Sequence, residues 1–115
     1  MRVSTPESTA LDLVRYAKHA GGLNNIATIL SDLAEKIDPQ RLREAAHREN
    51  DLPSAQRLGF LLERIGENAK AEPLAEWIRN TRARVVFLRP GGPVHHAGRS
   101  VRWELMVNED VEVSG

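Results

Sequence analysis

The sequence predicts a mainly α-helical fold with a small β element, an α+β arrangement in one domain spanning residues 1–115. The length of 115 residues is typical of a single domain. Residues 1–81 repeat helix-start signals followed by apolar residues at helical spacing, whereas residues 82–115 carry β-branched and alternating runs. We therefore expect about five short helices packed in antiparallel pairs, followed by two C-terminal strands.

The first helix begins with a cap-and-proline signal. Ser4 and Thr5 offer hydroxyls that can cap free N–H groups, and Pro6 lies in the first turn, where its missing N–H costs nothing. Ser4 and Glu7 also have the spacing of a capping box. The glycine pair at residues 21–22 is expected to end the helix, because glycine accepts the left-handed conformation without strain. The apolar stripe of this helix is Ala10, Leu13, Val14 and Ala17.

Two further apolar stripes predict the second and third helices. Helix two spans about residues 24–37, and its stripe is Ile26, Ile29, Leu30, Leu33 and Ile37. Asp38 and Pro39 repeat the cap-and-proline signal and open helix three. The inward side chains of helix three are Leu42, Ala45 and Ala46.

Helix four begins at the Asp-Leu-Pro signal of residues 51–53 and ends at Gly66, and its stripe is Ala55, Leu58, Leu61, Leu62 and Ile65. Gly59 lies in the middle of this helix, where glycine costs about 1 kcal/mol relative to alanine. We therefore expect another helix to approach closely at that position. Pro73 is predicted to open helix five, whose buried side chains are Leu74, Trp77 and Ile78.

The pattern changes to β after helix five. Residues 85–88 form a β-rich run that ends at the Pro-Gly-Gly-Pro turn of residues 90–93, and the loop continues through the pair at 95–96 to Gly98. In residues 101–107, Val101, Trp103, Leu105 and Val107 alternate with Arg102, Glu104 and Met106. The two runs predict a hairpin that must pack on the helices or pair outside the chain, because an isolated two-stranded unit is marginally stable.

Charge is uneven along the chain, although sixteen Lys+Arg balance sixteen Asp+Glu. Residues 1–78 carry ten bases and twelve acids, net −2, and residues 104–115 carry four acids, net −4. Residues 79–103 carry six arginines and no acid, net +6. The zero net charge is thus the sum of a basic segment, an acidic tail and a weakly acidic first part. A zero net charge argues against a dedicated polybasic nucleic-acid binder.

The basic segment supplies the candidate binding residues of the sequence. Arginine forks bind phosphate and carboxylate groups bidentately. The alternative interpretation is a solvated face, or pairing with the acidic tail. The candidates for binding nucleic acid or a partner are Arg82, Arg84, Arg89, Arg99 and Arg102.

Several classes of protein are excluded by composition. The chain has no cysteine, which excludes a disulfide framework, a thiolate zinc site and a cysteine nucleophile. No apolar run approaches the roughly 18 residues of a membrane helix, and residues 1–10 lack the layout of a signal peptide. We expect a cytoplasmic protein without membrane contact.

Candidate catalytic and metal-ligating groups are few. His95 and His96 are adjacent, but a metal site needs three or four ligands, so we interpret them as solvated loop residues. Carboxylate pairs such as Asp32 and Glu35 are neighbours on exposed helix faces, and nothing marks a cleft that would perturb a pKa. The sequence therefore predicts no enzymatic activity, no metal and no cofactor.

Asp12 interrupts an otherwise apolar stretch of the first helix. A partly buried carboxylate needs hydrogen-bond partners. Arg15 and Tyr16, three and four residues later, are the nearest candidates. We predict a structural role for Asp12.

Five segments stand in a recognisable order along the chain. They are Ser-Thr-Pro-Glu-Ser-Thr-Ala-Leu-Asp-Leu-Val-Arg-Tyr at 4–16, Gly-Gly-Leu-Asn-Asn-Ile-Ala-Thr at 21–28, Ala-Gln-Arg-Leu-Gly-Phe-Leu-Leu-Glu at 55–63, Leu-Ala-Glu-Trp at 74–77, and Trp-Glu-Leu-Met-Val-Asn-Glu-Asp-Val-Glu at 103–112. Together they resemble the C-terminal domain of the AbiEi family, the antitoxins of bacterial abortive-infection, type IV toxin–antitoxin systems.

The resemblance implies a non-enzymatic antitoxin domain in phage defence. Its functional partner would be a nucleotidyltransferase toxin, counteracted in type IV systems without a stable complex. Family members also carry an N-terminal winged helix-turn-helix that binds their own promoter, and we expect this domain to be absent from the chain. Two alternatives stay open: a fragment of a transcriptional regulator, and a non-catalytic helical protein-interaction module with an exposed apolar groove.

Overall fold

Five α-helices and three short strands make up the part of the chain that the computed structural model describes, residues 5–16, 21–89 and 98–108. The mainly α fold with a small β element is therefore confirmed. The helices are α1 Pro6–Arg15, α2 Leu23–Leu33, α3 Pro39–Glu49, α4 Leu52–Arg64 and α5 Asn68–Thr81. A 3-10 turn, Ala34–Lys36, follows α2, and the strands are β1 Val86–Phe87, β2 Gly98–Ser100 and β3 Leu105–Val107.

The cap-and-proline signals begin three of the helices as predicted. The side chains of Thr5, Asp38 and Asp51 each accept a hydrogen bond from a backbone N–H of the first turn, at 3.0, 2.9 and 3.3 Å. Each bond satisfies a donor that the helix itself leaves unpaired. These caps fix the starts of α1, α3 and α4.

The predicted capping box of Ser4 and Glu7 is not tested by the structure, but Glu7 makes a bond that the box does not include. Its carboxylate accepts the backbone N–H of Asp38 at 2.9 Å, and the residue is buried. This bond ties the first turn of α1 to the start of α3. Ser4, the other member of the predicted box, lies outside the described residues.

The glycine pair at 21–22 belongs to the start of α2 and not to the end of α1. α1 ends at Arg15, whereas Gly22, with φ of 90°, precedes the first residue of α2. Both glycines have the predicted left-handed backbone, but they precede the first residue of α2 and do not end α1. The predicted end of helix two is also wrong, because the chain tightens into the 3-10 turn before an extended Ile37.

Pro73 lies inside α5 and does not open it. The carbonyl of Glu67 accepts bonds from Lys70 and Ala71 at 3.2 and 3.3 Å, so a first turn forms ahead of the proline. Proline then removes one backbone bond from the helix. The apolar face beyond it is buried as predicted, and this burial favours the continuous helix.

The core lies among all five helices and does not follow a simple series of pairs. α1 packs on α2 and α4 packs on α5, but α1 also contacts α3 and α4, and α3 contacts α5. The predicted inward residues that are buried are Ala10, Val14, Ile26, Leu30, Ile37, Leu42, Ala45, Ala46, Ala55, Leu58, Leu61, Leu62, Leu74, Trp77 and Ile78. Leu11 and Trp103, which the stripes did not assign to the helical core, are fully buried as well.

The β element is a three-stranded sheet in the order β1-β3-β2, where two strands in a hairpin were predicted. β1 pairs with β3 in parallel, with Val86 opposite Leu105, and β2 pairs with β3 antiparallel. The predicted strand over 101–107 is wrong in its first half, because residues 101–104 form a turn that joins β2 to β3. The His-His pair at 95–96 lies outside the described residues.

One face of α4 holds the sheet against the helices. We call Gln56, Gly59 and Glu63 the docking stripe, since they recur at helical spacing. The buried Gln56 amide nitrogen lies 2.9, 3.0 and 3.1 Å from the carbonyl oxygens of Arg84, Trp103 and Glu104, respectively. Gln56 therefore satisfies backbone carbonyls at the N-terminal end that the two parallel strands share.

Trp103 fills the space that Gly59 leaves open. Its side chain is fully buried, and its indole N–H donates to the Glu63 carboxylate. A Cβ at Gly59 would lie only 2.1 Å from Trp103 Cζ3. The close approach predicted at this glycine is present, but the partner is the tryptophan and not another helix.

Candidate functional site

The five predicted binding arginines lie around the sheet and the end of α5. Arg82 caps α5 with a left-handed backbone, φ of 56°, and the chain turns there towards β1. Arg84 and Arg89 flank β1, Arg99 lies on β2, and Arg102 lies in the turn before β3. All five residues are exposed. The five arginines differ in their partners.

Two of the five arginines are neutralised by carboxylates. Arg99 pairs with Glu104 at 3.1 Å, and Arg102 pairs with Glu63 at 2.7 Å and with Glu72. The Arg102 guanidinium also lies 5.5 Å from the centre of the Trp103 ring. Burial lowers the pKa of Arg102, but the two carboxylates raise it more, so its net pKa is raised. These two arginines therefore help to anchor the sheet.

Arg82 and Arg84 differ because their side chains make no ion pair or hydrogen bond in the described part of the chain. The same holds for Arg79 in the last turn of α5, which the sequence analysis did not single out. The backbone of Arg89 makes two hydrogen bonds of 2.9 Å with the side chain of Asn108. The N–H of Arg89 donates to Asn108 Oδ1, and its carbonyl accepts from Asn108 Nδ2. Three arginines whose side chains have no partner in the described residues, Arg79, Arg82 and Arg84, thus lie within six positions of one another between the last turn of α5 and β1.

A groove of about 460 Å³ lies between the end of α5 and the turn that joins β2 to β3. Its apolar lining is Ala75, Ile78, Ala83 and Val101, and its charged lining is Arg79, Arg82, Arg102 and Glu104. Val101 is 71% exposed, the highest value among the large hydrophobic residues of the described ranges. The groove joins an apolar surface to arginines from two elements.

Sequence reasoning missed the groove because its two walls come from distant segments. The signal that could have found Arg79 is its place in the acid-free segment. Val101 was assigned to the apolar face of a strand, where it would be covered. The turn at residues 101–104, with Glu104 in the left-handed region at φ of 50°, instead exposes it.

A second charged cluster surrounds Arg15 at the junction of three helices. Arg15 donates to Asp12 at 2.9 Å, to Glu49 at 2.6 Å and to Asp51 at 2.8 Å. The predicted bond between Asp12 and Arg15 is therefore confirmed, whereas Tyr16 is exposed. The bonds to Glu49 and Asp51 raise the pKa of Arg15. The cluster joins the end of α1 to the α3–α4 connection.

Groups with shifted pKa values serve structural contacts. Burial tends to raise the pKa of Asp51, but bonds from Arg15 and Ser54 outweigh it and lower the pKa. Burial lowers the pKa of Arg57, whose Nε donates to the Phe87 carbonyl at 2.9 Å. Within residues 5–16, 21–89 and 98–108, no group of three or more His, Cys, Asp or Glu side chains could hold a metal ion. The helices there are also too short or too polar to cross a membrane.

Comparison with known proteins gives one match. The family model of the AbiEi antitoxin C-terminal domain matches residues 1–64, a span that ends with the last residue of α4. The match includes the Arg15 cluster and the docking stripe, but α5 and the sheet lie beyond it. Neither the curated proteins nor the solved structures gave a match.

Proposed function

The chain belongs to the AbiEi antitoxin C-terminal domain family, and on this premise we propose that it counteracts a nucleotidyltransferase toxin in the bacterial cytoplasm. Family membership makes it an antitoxin domain of a toxin–antitoxin, abortive-infection system. It also gives the domain a toxin as its functional partner. The class of that toxin and the compartment are the proposed part.

The family match over α1–α4 is the observation that carries this proposal. The family is not catalytic. In keeping with this, the ionisable groups with shifted pKa values in the described residues are held in ion pairs or backbone contacts, and of these groups only Arg102, which is paired with two carboxylates, lines the groove. We therefore propose that the domain acts through its surface and not through a reaction of its own.

We propose that the surface used is the arginine region predicted from the sequence. Arg82 and Arg84 support this most directly, because they are exposed and their side chains have no partner among residues 5–16, 21–89 and 98–108. An incoming carboxylate or phosphate would meet them without displacing an existing bond. By contrast, Arg102 would have to leave Glu63 and Glu72 before it could bind a partner.

Growth rescue tests the proposed function. The chain would be co-expressed with the nucleotidyltransferase encoded beside its gene, and growth would be measured after the toxin is induced. We expect the chain to restore growth. Absence of a nucleotidyltransferase gene from the neighbourhood, or growth arrest that the chain does not relieve, would contradict the proposal.

A charge-reversed variant tests the surface. We expect R82E/R84E to reduce neutralisation by about tenfold in the toxin dose tolerated, because two reversed surface contacts together change binding by roughly 1–2 kcal/mol. R41E/R48E is the matched control, since both arginines are exposed on α3 and outside the groove lining. Equal neutralisation by wild type and R82E/R84E would remove the arginines from the proposal.

A further inference from the structure

We infer that the groove between α5 and the β2–β3 turn binds an acidic segment of a protein partner that carries an apolar side chain. This inference rests on the proposed function only in taking the toxin as the source of that segment, and it requires a reversible contact and not a stable complex between the two proteins. It names the chemistry of the contact, which neither the family match nor the antitoxin role specifies.

The shape of the groove supplies the first argument. Of its lining residues, Ile78 and Ala75 on α5 are buried, whereas Val101 in the turn between β2 and β3 is exposed. An exposed valine beside an apolar base offers a place where an incoming leucine or valine would remove apolar surface from water on both sides. A volume of about 460 Å³ is enough to receive a few side chains of an extended segment.

The charges of the groove supply the second argument. Arg102 and Glu104 are already occupied by Glu63, Glu72 and Arg99. Arg79 and Arg82, which lie one turn apart at the end of α5, lack such partners in the described residues. Two unpaired guanidinium groups at the rim of an apolar groove complement carboxylates that flank an apolar side chain.

The same lining argues against nucleic acid as the occupant. Single strands are held by aromatic side chains on which bases stack, and the groove lining contains none. Trp103, the nearest aromatic in the chain, is fully buried against α4. Glu104 lies in the lining as well, and its carboxylate disfavours a continuous row of phosphates.

The experiment measures fluorescence anisotropy of labelled probes with the full chain. The first probe is a short synthetic peptide with a central leucine flanked by aspartate and glutamate. A second peptide replaces the leucine with serine, and a single-stranded oligonucleotide of equal net charge is the third probe. We expect the leucine peptide to bind several-fold more tightly than the serine peptide and the oligonucleotide, with affinity that falls as salt rises.

Variants of the chain assign the binding to the groove. R79E/R82E is expected to weaken the leucine peptide about tenfold, and V101S is expected to weaken it several-fold while leaving the serine peptide unchanged. R41E/R48E carries the same change of charge on α3 and is expected to bind as wild type does. Circular dichroism of each variant verifies that it is folded.

Three other outcomes would overturn the inference. Equal loss in R79E/R82E and R41E/R48E would mean that only net charge matters. Tighter binding of the oligonucleotide, lost in R79E/R82E, would assign the groove to nucleic acid. If R79E/R82E lost peptide binding but still gave complete growth rescue, the groove would not be the site that acts on the toxin. If the wild-type chain bound the peptide but gave no growth rescue, only the proposed function would be contradicted.

Discussion

Gly59 lies on α4 directly against the ring of Trp103. A Cβ at this position would meet three atoms of the indole at 2.1 to 2.7 Å, distances that real Cβ atoms do not show. The ring is also held by the bond of its N–H to Glu63, one turn further along α4, and by the Arg102 guanidinium, which lies 5.5 Å from the ring centre. The indole of Trp103 therefore cannot move away from α4 without breaking its contacts with Glu63 or Arg102.

Substitution of Gly59 tests this fit. We expect G59A to lower the free energy of unfolding by about 1–3 kcal/mol, because overpacking outweighs the better helix propensity of alanine. Urea denaturation monitored by circular dichroism measures the change. G98A is the control, since nothing lies within 4 Å of a Cβ at Gly98. A G59A protein as stable as wild type would show that the tryptophan can be displaced at no cost.

A mid-helix glycine indicates that something comes close, but not what it is. The sequence analysis could predict the approach at Gly59 because glycine there costs helix stability. It could not predict Trp103 as the partner, because the turn at 101–104 looked like continuous alternation. The exposure of Val101, and with it the groove, depended on the same turn.

At the scale of the element, the start of α4 is held by more than its cap. Asp51 Oδ1 accepts the N–H of Ser54, while its other oxygen accepts from Arg15 of α1. The carboxylate thus caps one helix and pairs with the end of another. Its pKa is lowered, since these bonds outweigh the effect of burial.

The lowered pKa of Asp51 predicts how stability depends on pH. A folded-state pKa below the unfolded value gives stability that is present at neutral pH and is lost as the pH falls through the folded pKa. We expect D51N to be about 1 kcal/mol less stable than wild type at neutral pH, with the difference shrinking as the pH falls from 3.8, the ordinary pKa of aspartate, through the lower folded-state pKa. Thermal unfolding across this range measures it.

D32N serves as the control for this pH profile, because Asp32 is exposed on α2 and has no partner in the described residues. It should follow the wild-type curve. A D51N protein that keeps a constant difference from wild type at every pH would mean that the charge of Asp51 does not matter.

Signals within one helix predicted the elements better than signals between them. The caps at Asp38 and Asp51 involve residues three positions apart, so the sequence reveals them directly. Pro73 misled the prediction because a buried face can carry a helix through a proline. The parallel pairing of β1 with β3 was missed because no local pattern separates it from a hairpin.

At the scale of the whole molecule, the family match ends where α4 ends, but the packing does not. α4 packs more extensively on α5 than on any other helix, and the docking stripe holds the sheet. The core therefore needs side chains from beyond residue 64, including the fully buried Leu74, Leu88 and Leu105. The prediction that residues 1–115 form one domain rests on these contacts between residues before and after position 64.

Truncation tests that prediction. We expect a fragment of residues 1–64 to lack a cooperative unfolding transition, because it loses the partners that cover α4 and cannot offset the cost of ordering its chain. Urea titration followed by circular dichroism compares it with the full chain. A fragment that unfolds cooperatively, within about 1 kcal/mol of the full chain, would make residues 1–64 an independent domain.

The bonds of Gln56 also bear on the order in which we expect the chain to fold. They join residues 28, 47 and 48 positions apart, so each requires a long loop to close before any energy is gained. Helices contain their own local bonds and form on a shorter timescale. We therefore expect the sheet to assemble last, on an α4 surface where the Gln56 amide and the space at Gly59 await their partners.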